Sequence, residues 1–590
     1  MAFWSLVLLY CFTVATSETL KNVLYISIDD LRPELGCYGS SVLSPNIDSL
    51  ANRSLLFERA YCQVAQCAPS RASFLTGRRA DSNRIWSIDR QAYWRNPGYT
   101  NATTIPQYFK ENGYISIGMG KIFHPGPQSG HNDHSYSWSR EGLPYYESPD
   151  QTAQGQNTTS LWWAFDGYTG AELPDGQIAG QALKVLRELK TKQDGGDTRP
   201  FFVAVGFHKP HTPYYMPKEF YDLYPPATQI SLPDNPHPPV DMPYTAWSGF
   251  TSLRQYDNVK HHFIGSRCGK NAATAISSTC NFPDDVKREI RKSYYACVSY
   301  IDSLVGQILA ELEKQGFAED TIVVLTSDHG YHLGEHGEWD KNTNFEDATR
   351  VPLLVHVPKV TTTATRTKAF VELIDVFATM AELAGLSAPP LCSSDNDVLT
   401  CVEGSSFAPL ITRPEQTWKN ATFSQFARPL SGINDIPGKG VLDNSLGSIQ
   451  VMGYSIRTAQ YRYTEWVKFD HTTATPDWTD VWGVELYDHR TEVGLFNNEN
   501  INLANNASFV AVKSELRAAL MTGWKASIPI QSESPSTDKP KTAMSAASST
   551  AQAKSSTEGS TKQTKSTELQ LNPSIVVTLM LLCIARVFGV

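Results

Sequence analysis

The sequence predicts an α/β fold: a large mixed, mostly parallel sheet between helices, followed by a smaller antiparallel C-terminal subdomain. Three observations predict it. Continuous apolar runs, rather than alternating ones, stand at 23–28, 114–118, 201–205 and 322–326, the pattern of strands buried on both faces. Helical periodicity lies between such runs, and strand–helix alternation implies a parallel sheet covered by helices. From about Phe423 the texture changes, and 452–458 and 461–467 alternate as antiparallel strands do. No internal repeat is visible.

Composition bounds the function classes. The 590 residues are 41% hydrophobic and 11% aromatic, enough for a large core, which excludes wholesale disorder. With 51 Lys+Arg against 60 Asp+Glu the net charge is −9, so no nucleic-acid partner is expected. Full protonation of the 14 His would turn −9 into +5, so an acidic compartment would remove repulsion of a polyanion.

Taken in order, residues 1–17 are a short apolar run ending in small residues, the pattern of a signal peptide without its usual basic start. A buried first strand or a membrane anchor is the alternative. The strand at 23–28 follows so closely that cleavage between the two is the simpler account. Five Asn-x-Ser/Thr sequons, at Asn52, Asn101, Asn157, Asn420 and Asn506, fit a glycoprotein of the secretory pathway. The longest helix is predicted from Asp284 to about Gln315, with Asp284 or Asp285 as its N-cap and Gly316 as its stop. The catalytic domain then spans 18–422 and the C-terminal subdomain 423–525. Residues 526–572 are a Ser/Thr-rich stalk, too polar to fold. The apolar tail at 573–590 reads as a GPI-anchor signal, with a transmembrane anchor as the alternative. Cys268/Cys280 and Cys392/Cys401 flank short polar loops and suit disulfides in an oxidising compartment.

Ligands of open α/β sheets bind beyond the carboxyl ends of the strands. Here those ends carry Asp29-Asp30, Ser327-Asp328-His329-Gly330, Gly120-Lys121 with His124, and His208-Lys209-Pro210-His211. Adjacent aspartates after one strand are commonly turn formers. Four polar clusters, each directly after a strand, instead describe one crevice. Three aspartates suit a hard cation such as Ca²⁺ or Mg²⁺, and the Lys and His residues suit an oxyanion. The run His329, His332, His336 lacks His-Glu-x-x-His spacing, and Gly330, Gly334 and Gly337 argue for a loop, against a catalytic zinc helix.

The segment Cys67-Ala68-Pro69-Ser70-Arg71 followed by Leu75-Thr76-Gly77-Arg78 is the most informative. Pro69 suits a first helical turn, so Cys67 stands at a helix N-terminus, where the dipole would stabilise an anion or lower a thiol pKa. A buried inert thiol and a thiol nucleophile are both open on these grounds. The segment, however, resembles the signature of the type I sulfatases, in which this Cys becomes formylglycine (3-oxoalanine). The Asp29-Asp30 pair, Gly120-Lys121, 208–211 and 327–330 follow in sulfatase order. Within that family, 120–126, 205–211, 328–339 and 452–458 resemble the members that remove a 2-sulfate from a uronic acid. The likeness covers about 20–500; the stalk and tail depart from a soluble lysosomal form.

The resemblance implies an alkaline phosphatase/sulfatase-like fold and a specific division of roles. Asp29, Asp30, Asp328, His329 and the residue at Cys67 would hold Ca²⁺ (or Mg²⁺). Arg71 would hold the formylglycine hydrate, which attacks sulfur to give a covalent sulfated enzyme. His211 would protonate the leaving oxygen, and His124 would take the proton of the second hydroxyl to expel sulfate. Lys121 and Lys341 would clamp sulfate oxygens, with Lys209 as a further substrate-binding cation. The implied partners are a sulfated glycosaminoglycan, the formylglycine-generating enzyme and, through the tail, a membrane. The implied location is lysosomal, or extracellular and possibly GPI-anchored. Two rivals stand against this: a phosphatase or phosphodiesterase of the same fold, and a non-catalytic surface protein that binds sulfated glycans. The intact Cys-x-Pro-Ser-Arg argues against the first, and the full set of motif residues against the second.

Overall fold

The computed structural model describes residues 20–88, 92–139, 161–165, 167, 169–248, 253, 256–259, 281–393, 398–429, 446–491 and 499–529. The expected signal peptide, the stalk beyond residue 529, the apolar tail, the Asn157 sequon and the Cys268/Cys280 pair lie outside them; residues 526–527, assigned to the stalk, instead end a short helical turn begun at Trp524. The main sheet has seven strands: β1 (Asn22–Ile28), β2 (Leu55–Tyr61), β3 (Ile115–Gly120), β4 (Phe201–Phe207), β5 (Thr321–Ser327), β6 (Arg350–His356) and β7 (Thr365–Glu372). Their order is β7-β2-β6-β5-β1-β4-β3. All neighbours pair in parallel except β6, which runs antiparallel to both β2 and β5. The sheet is therefore mixed and mostly parallel, as the apolar runs predict.

Burial on both faces explains those runs. Leu24, Ile26 and Ile28 of β1 enter one core, with Val203, Val205 and Phe207 of β4 and Val323 and Leu325 of β5. The intervening Val23, Tyr25, Phe202, Ala204, Ile322 and Val324 enter the other. Each such side chain contributes about 1.5–3 kcal/mol by leaving water, so both faces favour apolar residues along the strands. One face is covered by α2 (Pro174–Asp194) and α3 (Asp284–Lys314), the other by α1 (Cys67–Thr76) and α4 (Asp375–Leu383). The edge strand β7 and its neighbour β2 carry Arg366 and Glu58-Arg59 inside their apolar runs, which hid them from periodicity.

One local expectation changes. Helix α3 is N-capped by Pro283 without a side-chain cap; Asp284 and Asp285 lie in the first turn, and Asp284 pairs with Lys287 at 2.9 Å. Its prolyl φ of −58° already suits a helix entry, and acids in the first turn favour the dipole. Gly316, at φ +76°, then turns the chain left-handed after the helix. Cys392 and Cys401 form a disulfide, and Asn52, Asn101, Asn420 and Asn506 are exposed. Among the described residues no helix is long and apolar enough to cross a membrane.

A four-stranded antiparallel sheet follows, running β8 (Ala421–Pro429), β9 (Ile449–Thr458), β10 (Tyr461–Asp470) and β11 (Thr475–Asp488) in sequential order. It belongs to the same compact unit as the main sheet. A buried ion cluster joins the two. Glu372, ending β7, receives Arg79 Nη2 on both oxygens at 2.8 Å and Lys419 Nζ at 2.8 Å, and accepts the Phe423 N–H of β8 at 3.0 Å. Burial alone would raise the Glu372 pKa, but Arg79 and Lys419 prevail and lower it from 4.5 to about 2. The linked stability is present above the unfolded carboxyl pKa and lost as pH falls toward 2. Glu372→Gln should cost about 3–5 kcal/mol at neutral pH in urea unfolding. It should also flatten the loss of stability between pH 5 and 3; an equally steep acid limb in the variant would refute the linkage.

Candidate active site

The site is assembled from segments that leave the sheet at its carboxyl edge. Asp29 and Asp30 follow β1, Lys121 follows β3, His208–His211 follow β4, and Asp328-His329 follow β5. Helix α1 begins at Cys67 and aims its N-terminus at the same point. Cys67 Sγ stands 3.3 Å from Asp29 Oδ1, 3.4 Å from His329 Nε2 and 3.4 Å from Lys341 Nζ. Lys121 pairs with Asp29, and Lys341 with Asp30. All of these residues except His211 are buried, and His124 and His211 form the more open rim.

Arg71, one turn into α1, ties the segments together. Its Nε donates to Asp328 Oδ2 at 3.0 Å and its Nη2 to Asp29 Oδ1 at 3.3 Å. Its Nη1 donates to the carbonyls of Lys121 and Ile122. Ser70 Oγ donates to the Asp328 carbonyl, and Asp328 Oδ1 accepts the backbone N–H groups of Asp30 and His329 at 3.2 and 3.0 Å.

Three histidines share one orientation device. Nδ1 of His124, His211 and His329 each lies at the carbonyl of the next residue: Pro125 at 3.1 Å, Thr212 at 2.5 Å and Gly330 at 2.9 Å. An Nδ1–H donated there makes Nε2 the lone-pair nitrogen. For His329 that nitrogen points into the carboxylates, 3.4 Å from Asp30 Oδ1.

Electrostatics decide which of the two open states the thiol takes. The helix N-terminus does not leave Cys67 as a thiolate: burial first, then the Asp29 carboxylate, push its thiol well above the ordinary range, against Lys121 and Lys341. A full charge 3.3 Å from sulfur outweighs the roughly half charge of a helix end. Burial also raises Asp29, yet Lys121, His211 and Arg71 leave it well below the usual carboxylate range. Burial lifts Asp30 well above that range despite Lys341, and Asp328 to about 6 despite Arg71.

The donor set fits a hard dication. Asp29, Cys67, Asp328 and His329 offer ligand atoms within 4.8 Å of one another, as do Asp29, Asp30, Cys67 and His211. Asp30 Oδ2 is buried without a hydrogen-bond partner, the condition of a carboxylate placed for a cation. The predicted residues thus converge, with one qualification. Lys209 Nζ is turned onto the His211 carbonyl at 2.8 Å, so it supports the histidine loop rather than joining the cluster around Cys67.

The sequence reading missed Asp175, at the start of α2. Its two oxygens accept the His208 and Lys209 N–H groups at 2.6 and 3.1 Å and so fix the loop that carries His211. Pro174-Asp175 reads only as a helix start, and no local pattern links it to residue 208. Asp175→Ala should lower kcat by about 10–100-fold, the usual cost of losing a supporting group, with a folded protein by circular dichroism. Unchanged kcat would show that the loop is held by other contacts.

The Sulfatase family model matches residues 21–386. The iduronate 2-sulfatase of Mus musculus is 40% identical over 516 residues, 79% of this chain and 88% of that protein. The human enzyme of that name is 40% identical over 522 residues, 80% and 90% of the two chains. Among solved structures, a phosphonate monoester hydrolase from Silicibacter pomeroyi superposes with TM-score 0.61 at 20% identity, covering 86% of this chain and 96% of that one. A structure in complex with its substrate D-glucosamine-2-N,6-O-disulfate gives 0.60 at 20% identity, covering 85% and 97%. At such identities the superpositions speak for the fold.

Proposed function

The chain belongs to the sulfatase family, and we propose that it removes the 2-sulfate of iduronate from heparan or dermatan sulfate in glycosaminoglycan degradation. The chain is a sulfuric ester hydrolase; the sugar is the part that this proposal adds. The observation that carries it is Cys67, held between Lys341, His329 and Asp29 at a helix start. The 40% identity to iduronate 2-sulfatases over four-fifths of the chain supports the choice of sugar. The burial of Cys67, at 1% exposure, suits a terminal sugar that inserts its sulfate.

Sulfate esters resist hydrolysis because charged oxygens shield sulfur, so the site must neutralise them, supply a nucleophile and protonate the leaving group. Formylglycine, made from Cys67 by the formylglycine-generating enzyme, supplies the nucleophile as its hydrate, and Ca²⁺ (or Mg²⁺) held by Asp29, Asp30, Asp328, His329 and residue 67 supplies positive charge. The side chains do the rest. Lys121 and Lys341 neutralise sulfate oxygens, and each now stands on the carboxylate it would share with the anion. Arg71 fixes residue 67 against Asp29 and Asp328. His211 hands a proton to the leaving sugar oxygen, and His124 takes one from residue 67 so that sulfate departs. Burial, Lys341 and Lys121 disfavour the His211 imidazolium; an anion lying among these cations offsets them. Lys209 orients the His211 loop and borders the incoming sugar. The sequons and the terminal segments support a location in the secretory pathway, in the lysosome or at the cell surface on a GPI anchor.

Mass spectrometry of the peptide containing Cys67, from protein made in secretory cells, should show the aldehyde residue. The purified enzyme should release sulfate from a disaccharide with non-reducing 2-sulfated iduronate, and not from glucosamine 6-sulfate. Lys341→Ala should lower kcat by about 10²–10³-fold, and chelation should abolish turnover until Ca²⁺ or Mg²⁺ is restored. An unmodified thiol in native protein would end the catalytic reading; release only from glucosamine 6-sulfate would end the choice of sugar.

A further inference from the structure

We propose that His332, His336 and Asp347 form a second metal site, distinct from the cluster at the strand ends, which takes a structural transition-metal dication, zinc above others. The three residues offer ligand atoms within 4.8 Å of one another. All are buried, at 0%, 1% and 1% exposure. His332 lies in a two-residue strand paired with Trp339–Asp340, His336 in the turn between, and Asp347 beyond Lys341. The histidine run that fits no zincin helix is thus brought onto one carboxylate by a loop.

The second observation is Asp347 itself. Neither of its carboxylate oxygens has a hydrogen-bond partner. His336 Nδ1 and His332 Nδ1 stand 3.3 and 3.9 Å from Oδ2. Metal–nitrogen and metal–oxygen bonds of ~2.0–2.1 Å put neighbouring donors of a tetrahedron about 3.3 Å apart. His332 Nδ1 also lacks a partner, while its Nε2 lies 2.8 Å from Thr343 Oγ1, the outer contact that orients a ligating imidazole. Phe345 stacks on His336 at 4.6 Å and meets His332 edge-on at 5.9 Å, lining the group with an apolar ring.

Charge counting points the same way. On one side Arg32 and Arg291 face Glu34, Glu335 and Asp347, two cations against three anions. Arg32 Nη1 is 2.9 Å from Glu335 but 3.9 Å from Asp347. On the other side Glu346 and Glu499 are already paired with Arg457 and Arg462. Asp347 is thus the buried anion with the weakest compensation, Arg32 at 3.9 Å and the His336 imidazole at 3.3 Å, and a poorly compensated buried charge costs several kcal/mol. Burial pushes the His332 imidazolium down to about 3, so this ring is neutral, the form that binds metals. Two imidazoles and one carboxylate select zinc over Ca²⁺, the reverse of the oxygen-rich cluster at the strand ends. A metal here would close the 332–347 loop, which carries Lys341 to the active site.

The test uses full-length protein from secretory cells grown with zinc and dialysed against metal-free buffer. Elemental analysis should find about one zinc per chain, retained in Asp328→Asn and lost in His332→Gln and Asp347→Asn, each checked for folding by circular dichroism. Cobalt-loaded wild type should show the intense visible bands of a tetrahedral nitrogen–oxygen site. Two results would overturn the site: wild type with under about a tenth of an equivalent of zinc, or zinc lost in Asp328→Asn and kept in His332→Gln. The first would mean that a proton shared by Asp347 and His336 balances the charge. Should both variants fail to fold, the wild-type cobalt spectrum decides, and weak octahedral bands would overturn the proposal.

Discussion

The Arg71 guanidinium is the contact on which the rest of the site depends. It is wholly buried, and a buried cation is tolerated only with nearly every donor satisfied. Its partners are Asp29 after β1, Asp328 after β5 and two carbonyls after β3. One side chain of α1 therefore fixes three strand ends and, through its own helix, the position of Cys67. Loss of Arg71 would not simply remove a substrate contact. It would leave two carboxylates facing each other in a low-dielectric crevice, and their repulsion would open the site.

The antiparallel subdomain serves the same end from outside. Arg457 and Arg462, on β9 and β10, converge on Glu346, and Arg462 also reaches Glu499 at 2.6 Å. Asn344 Nδ2 donates to the Gly453 carbonyl at 3.0 Å. These contacts grip the chain just after Lys341, which presents its ammonium to Asp30 and Cys67. The second sheet is thus a buttress for Lys341. Its fully buried ion pairs need the complete geometry to offset their desolvation.

Much of this was legible in sequence because two-sided burial leaves continuous apolar runs, and because catalytic groups in such folds follow the strands directly. Strands β1, β3, β4 and β5, Asp29-Asp30, Asp328-His329 and Lys121 were found on those grounds. Strands β2, β6 and β7 were not; charged residues interrupt the apolar runs of β2 and β7. Asp175 was missed because its role depends on a loop 33 residues away, a relation made only by the packing of α2 on β4. The state of the Cys67 thiol stayed open for a related reason: local sequence shows the helix dipole but not the carboxylate that folding brings beside the sulfur. Lys209 shows the limit of spacing arguments, as a cation in the right segment turned onto backbone.

The net charge carries a similar lesson. Counting all 14 histidines turned −9 into +5, which would make an acidic compartment attractive to a polyanion. The structure removes part of that gain. Burial holds down the imidazolium forms of His124, His211, His329, His332 and His356. With those five neutral, the remaining nine bring the formal count to zero at most. Mild acid can thus silence the surface repulsion without reversing it. Exposed charges are in any case screened beyond about 8 Å at physiological salt, whereas buried ones are screened far less. Attraction for a sulfate must therefore arise within the crevice, from Lys121, Lys341 and Arg71, and the surface charge governs only the approach of the chain that bears it.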